Sequence, residues 1–296
     1  MNVVTAKLKE AGLHTAFQER AEAYQAPGME LAMVVPSTRR EETYAWLGDV
    51  PQLKESLDEF APEGLLEHDY TLKNKRFRAA IEVYEDDLSD ELYGQTKLRI
   101  EDMAEKGKVF PAHLLSSVRA NGETNLCYDG QPFHSSTHVS GNSGTQSNIV
   151  TGTGTTVAQL RTDLGTGRAR LFGFKTDKGD VIVRRPSLYA VVGPALEVPM
   201  LEAAMLATVS TGGQNVLHGL IAGVIVDQNL TGNSWYLEDA APLVKPYIVQ
   251  NREDLSLANT GIESDSYVIH DKTTWRVKWR GNVGYGLWQH SVKIKN

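Results

Sequence analysis

Residues 70–87, YTLKNKRFRAAIEVYEDD, constrain the fold more than any other stretch. Tyr70 and Leu72 alternate with Thr71 and Lys73. Beyond Asn74, Phe77, Ala79, Ile81 and Val83 alternate with Arg78, Ala80, Glu82 and Tyr84. Successive side chains of a strand point to opposite faces, so period-two alternation on both sides of Asn74 predicts a hairpin turning there. Its charge is segregated. Lys73, Lys75, Arg76 and Arg78 lie on one arm and the turn, and Glu82, Glu85, Asp86 and Asp87 at the far end. An isolated two-stranded hairpin is marginal in water and needs a surface to lie on. The one-sided charge points to another copy of the same chain as that surface. Lys73, Lys75, Arg76, Arg78, Glu85, Asp86 and Asp87 are therefore the expected inter-subunit contacts, and a structural subunit rather than an enzyme is the expected kind of protein.

The remaining segments mix helices and strands, an α+β pattern. Leu8, Leu13, Ala16, Phe17 and Ala21 predict a helix over 5–24, ended by Pro27–Gly28. Thr38 and Glu41 have capping-box spacing, which predicts a second helix running through Tyr44, Trp46 and Leu47 to Gly48. The longest helix is expected over 90–120, capped by Ser89, kinked or interrupted at Pro111 and stopped at Asn121–Gly122. Residues 139–156 read as a long polar loop, 156–171 and 196–209 as helices, and 180–192, 217–228 and 234–239 as strands. Residues 267–294 are expected to be β-rich.

The chain of 296 residues carries a net charge of −7 with 41% hydrophobic residues, enough for a proper core. No apolar run reaches the ~18 residues a membrane helix needs, and Lys7, Lys9 and Glu10 interrupt any signal core at the N-terminus. Synthesis in the cytosol is expected. The acidic balance argues against a dedicated nucleic-acid binder, for which the KNKRFR segment alone is too little. The single cysteine, Cys127, excludes a disulfide framework. Cys127, His134 and His138 are candidate metal ligands or a cysteine–histidine pair, but zinc wants three or four converging groups and catalysis a third, orienting one. Local turn and loop packing is the preferred reading. TGTGTT at 151–156 lacks the GK[ST] ending of a phosphate loop, and no strand is expected before it. Glu41–Glu42 and Glu85–Asp86–Asp87 read as solvated faces, and Trp275, Trp279, Tyr285 and Trp288 as core. No catalytic residue, metal or cofactor is expected.

The strings VVPSTRREETYAWLG (34–48), HDYTLKNKRFRAAIEVYEDDL (68–88), NLCYDGQPFHSSTH (125–138) and RGNVGYGLWQ (280–289) strongly resemble the major head subunit family of Mu-like phages and prophages. The resemblance runs along most of the chain and is weakest over 150–235. It implies an HK97-like phage capsid fold. An N-terminal arm with short helices would span 1–50 and an extended loop 51–89. A peripheral domain with a long spine helix would take 90–149 and 246–296, and an axial domain 150–245. The 267–294 strands would pair beneath the spine helix. The implied function is self-assembly into hexamers and pentamers of the icosahedral head of a tailed double-stranded DNA phage. Assembly would take place in the host bacterial cytoplasm, with no membrane partner. The expected partners are other copies, a portal protein, decoration proteins and packaged DNA held non-specifically on the inner surface. A separate scaffold protein is also expected, because the chain begins with hardly any room for a scaffolding segment. The alternatives are an encapsulin-like compartment shell on the same fold, a hydrolase or metalloprotein built on Cys127 and the histidines, and a phage tail or baseplate module.

Overall fold

The structure is a computed structural model that describes residues 3–45, 70–84, 86, 93–208, 212–261 and 264–296. The elements in chain order are α1 (Val3–Ala23), β1 (Ala32–Pro36), β2 (Glu41–Thr43), β3 (Thr71–Lys73), β4 (Lys75–Tyr84), α2 (Tyr93–Ala120), β5 (Ile149–Thr151), α3 (Val157–Phe172), β6 (Leu188–Val192), α4 (Glu197–Ala204), β7 (Gly223–Val226), β8 (Trp235–Asp239), β9 (Tyr247–Asn259), α5 (Asp265–His270), β10 (Lys272–Tyr285) and β11 (Ser291–Lys295).

The first sheet has the order β1-β9-β10-β4. β10 alternates strictly. Trp275, Val277, Trp279 and Val283 are buried, while Arg276, Lys278 and Arg280 face outward. The long helix α2 covers the apolar face with Ile100, Ala104 and Leu115. At about 1.5 Å per residue it is roughly 42 Å long. α1 seals its flank. Leu13, Phe17 and Ala21 meet Val83, Ile100 and Trp275 in a small second core, where burying each large side chain contributes about 1.5–3 kcal/mol.

The second sheet has the order β5-β11-β8-β6-β7. Every residue of β8 is buried, as expected of a central strand covered on both faces. α3 packs against this sheet through Leu160, Leu164 and Leu171, and α4 packs on α3. The start of α3 is fixed by a capping box, in which the Thr156 hydroxyl accepts from Gln159 N and the Gln159 side chain accepts from Thr156 N. The two sheets share one continuous hydrophobic core running from Leu31 to Ile294.

A buried ion network ties α2 to the second sheet. Arg119 Nε and Nη2 donate to Glu238 at 3.1 and 3.0 Å, and its Nη1 donates to Asp227 at 3.0 Å. The remaining capacity of Glu238 is taken by Tyr247 Oη at 2.6 Å and Ser291 Oγ at 3.3 Å.

Several expectations need correction. No helix starts at Thr38. Glu42 Oε1 accepts from Thr38 N, Arg39 N and Ser37 Oγ at 2.9–3.0 Å, which turns the chain into the strand β2 instead. Trp46, Leu47, Gly48 and Ser89 lie outside the described residues. α2 runs through Pro111 without interruption. The strand over 180–192 is confined to Leu188–Val192, that over 217–228 to Gly223–Val226, and the helix over 196–209 ends at Ala204. A short strand, β5, does precede TGTGTT. β10 lies beneath α2 as the resemblance implies, but β11 enters the second sheet between β5 and β8. Strands β1 and β9 had no sequence expectation.

Candidate inter-subunit surface

Asn74 is not the turn of a hairpin. β3 pairs with β2, whereas β4 pairs with β10, so the two segments on either side of Asn74 do not pair with each other. The Asn74 side chain is buried and donates to Ser37 Oγ at 2.8 Å and Arg39 O at 2.9 Å, while its backbone N–H donates to Arg40 O at 3.0 Å. It therefore pins the β3–β4 joint to the chain that leads into β2. The alternation was real, but a single strand's period cannot show which strand it pairs with.

β4 is an edge strand. Its inner face carries Phe77, Ile81 and Val83, with Phe77 stacked on Trp279 at a centroid distance of 5.6 Å. On the outer face Arg76 lies directly opposite Arg280, Arg78 opposite Lys278, and Ala80 opposite Arg276. Like charges directly opposite each other across an antiparallel ladder destabilise it, so this face needs acids. Glu253 of β9 supplies one, accepting from Arg280 Nη1 at 3.1 Å and pairing closely with Lys278. These two hydrogen bonds hold the Glu253 carboxyl down to about 2. Arg76, Arg78, Lys73 and Lys75 are exposed and make no ion pair among the described residues. Of the acidic candidates, Asp86 is exposed, and Glu85 and Asp87 lie outside the described residues. The basic surface is thus wider than the segment that drew attention to it. Arg276, Lys278 and Arg280 join it from β10, 200 positions away in the sequence, and only the alternation of these cations with Trp275, Val277 and Trp279 hints at them.

The loop after α2 brings together two of the three candidate metal ligands. Cys127, Asp129 and His138 have ligand atoms within 4.8 Å of one another. Asp129 sits in the middle, with the Cys127 thiol donating to Oδ1 at 3.0 Å and His138 Nδ1 lying 2.6 Å from Oδ2. Burial pushes the Cys127 thiol up, and neighbouring Asp129 pushes it further, so the reactive thiolate is disfavoured. Burial would also raise Asp129, but the hydrogen bond and charge of His138 outweigh it and the carboxyl is lowered. The His138 ring lies flat on Trp288, with centroids 4.0 Å apart and planes at 4°. His134 takes no part. It is buried elsewhere, with Nε2 at 3.0 Å from Ser291 Oγ. Asp129 was missed in the sequence because an aspartate before Gly130 reads as turn chemistry. Chemically the cluster works as a hydrogen-bonded lock closing the 125–138 loop over the core.

Comparison with known proteins shows the family. The model of the family "Mu-like prophage major head subunit gpT" matches residues 7–162 and 222–296, well over half of the chain, including all of the first sheet and every strand of the second except β6. The chain belongs to this family. It is 25% identical to the major capsid protein of Escherichia phage Mu, over 90% of this chain and 65% of that protein. It is 26% identical to the Mu-like prophage FluMu major head subunit of Haemophilus influenzae, over 90% of this chain and 66% of that protein. The chain thus spans slightly less than two thirds of the length of these relatives. In structure it is similar to the procapsid protein of bacteriophage JBD30, with TM-score 0.63 and 22% identity over all of this chain and 76% of that one. A virus-like particle from Pyrococcus furiosus gives TM-score 0.58 and 11% identity over 96% and 98% of the two chains. The α+β architecture is the HK97-like phage capsid fold expected of a Mu-like head subunit. The family match ends at 162 and resumes at 222, so it skips much of the 150–235 stretch where the sequence resemblance is weakest.

Proposed function

We propose that this chain is the major capsid protein of a Mu-like tailed double-stranded DNA phage and works by self-assembly rather than catalysis. The observation that carries the reading is the family match over residues 7–162 and 222–296, supported by the likeness to shell-forming proteins. The fold alone suits a cargo compartment equally well, and the family match is what favours the phage head. In this reading α2 is the spine helix of a peripheral domain over 90–149 and 246–296. Residues 150–245, with α3, α4 and strands β6, β7 and β8, form the axial domain, and β11 (Ser291–Lys295) reaches into its sheet from the C-terminal segment. Residues 1–50 form the arm and 51–89 the extended loop. The subunit becomes part of the virion in the host cytoplasm, as hexamers and pentamers. A scaffold protein, a portal, decoration proteins and packaged DNA are its partners.

Each subunit in such a shell is held by several neighbours at once, so modest contacts suffice when they are repeated. The cations Lys73, Lys75, Arg76 and Arg78, without an ion pair among the described residues, support a contact with acids of an adjacent copy, and Asp86, Glu85 and Asp87 belong to the same arm. Electron microscopy of the purified full chain tests the function. Closed shells or capsomer rings are expected, and small monodisperse oligomers would oppose it. An Arg76→Glu/Arg78→Glu variant is expected to fold normally, since both side chains point outward, and to yield fewer closed particles. Normal particle yield from that double variant would sink the contact.

A further inference from the structure

Two exposed patches of opposite charge lie at the two ends of β6. Past its C-terminal end, α4 buries Met200, Ala203 and Ala204 and turns Val198, Leu201 and Met205 outward, 63%, 39% and 38% exposed. Spacings of three and four residues place these three on one stripe of the helix. Leu206 and Val216 extend the stripe, 52% and 84% exposed. Buried Asn215 Nδ2 ties the neighbour of Val216 to the end of α4, donating to Ala203 O at 3.0 Å and Leu206 O at 2.8 Å. Glu197 and Glu202 stand exposed beside the stripe without an ion pair among the described residues. Leucine, methionine and valine gathered in one surface mark an interaction site more than the same residues scattered singly.

Before β6, residues 182–187 lie in no strand, and exposure alternates along 181–185. Val181 forms an antiparallel bridge with Lys175, which puts both side chains on one side. Val181 is 51% and Val183 87% exposed. Arg185 continues the alternation, and neither it nor Lys175 makes an ion pair among the described residues. This edge therefore carries two valines flanked by two cations, and the helix carries an apolar stripe flanked by two acids.

We propose that the α4 stripe of one copy docks on the Lys175–Arg185 edge of a second copy. Val198 and Leu201 would meet Val181 and Val183, and Glu197 and Glu202 would meet Lys175 and Arg185. The occupant follows from the complementarity of charge and shape class. It also follows from placement, because the two halves sit at opposite ends of a five-residue strand, roughly 17 Å long. One copy cannot satisfy itself, whereas a head-to-tail contact uses both patches on every copy and closes into a ring when the rotation allows. The inference rests on the shell-subunit reading for its setting.

The test compares particles formed by the full chain and by three variants, using electron microscopy and sedimentation. Glu197→Lys/Glu202→Lys and Lys175→Glu/Arg185→Glu are each expected to lower particle yield at least tenfold while the circular dichroism spectrum stays unchanged. The quadruple variant, with the charges exchanged, is expected to recover particles. Full yield from either double variant, or no recovery in the quadruple, overturns the interface. As a second measurement, Val183→Cys/Val198→Cys under mild oxidation is expected to give a ladder of disulfide-linked copies that neither single variant gives. Absence of the ladder in assembled particles overturns the interface as well. A wild-type chain that stays monomeric overturns the shell reading and the interface together. Wild-type shells that are indifferent to the charge reversals overturn this interface alone.

Discussion

Arg119 is a cation with almost no contact with water, and two carboxylates depend on it. It and Glu238 are 3% and 0% exposed in their side chains, and Asp227 is 8% exposed. Removing one partner of a buried ion network leaves an uncompensated charge, which costs about 3–5 kcal/mol. Arg119→Met keeps much of the volume but strands Glu238, so its melting temperature is expected to fall sharply, and a wild-type melting curve would contradict this account. Two buried histidines make a second residue-scale case. Burial lowers both, with Lys293 and Arg119 adding to it at His134, and Arg184 adding to it at His290 and bringing that ring to about 3. Above the ordinary value of 6.5 both rings are neutral in the folded and unfolded chain alike, and stability does not depend on them. Below it the unfolded chain takes up protons that the folded chain refuses, so stability falls as pH falls, for His290 down to about 3. Carboxylates add to this only at lower pH, since their ordinary values are 4.5 or less. Melting temperature is therefore expected to drop between pH 7 and 5, and His290→Gln to flatten the slope. Equal slopes for the two proteins would count against the role of His290.

At the scale of elements, α2 and the first sheet make a layered pair that meets closely where Gly107 faces Leu255. A Cβ at Gly107 would lie 2.6 Å from Leu255 Cδ1, closer than any real contact. Apolar crevices open on both sides of this point, one of about 290 Å³ lined by Phe77, Phe110 and Trp279, the other lined by Tyr24, Met29 and Pro111. Gly107→Val is expected to force the Leu255 side chain aside at a cost of about 1–3 kcal/mol, measured by denaturant unfolding. A variant as stable as the parent would show that Leu255 swings into the neighbouring crevices without cost. Element types were largely legible where one face is buried and the other wet. The stripe Leu13, Phe17, Ala21 announced α1, and the cation–aromatic alternation of 275–280 announced β10. Missed elements had other patterns. β1, AMVVP, is too short to show a period, and β9 changes from four buried residues to a half-exposed alternation within one strand. The Thr38–Glu41 spacing misled because Glu42, one place further on, captures the same backbone donors for a turn.

In the whole molecule, the first and second sheets share one core although their strands interleave along the chain. Paired residues of β5 and β11, such as Ile149 and Lys293, are 144 positions apart and lie side by side, in parallel, in the second sheet. The sequence by itself determined the fold family, the long helix, the strand-like character and basic charge of 70–84, and the absence of the common catalytic signatures, because each of these lives in local composition, period or a distinctive string. Only the tertiary structure decided that β4 pairs with β10, that the basic arm is one side of a wider cationic face with Glu253 as its counter-charge, and that Asp129 rather than His134 completes the Cys127–His138 cluster. The physical reason is common to all three. A strand's period reports which face is buried but carries no information about its partner, and side chains meet through hydrogen bonds and charges that become neighbours only after distant segments are packed on the same core.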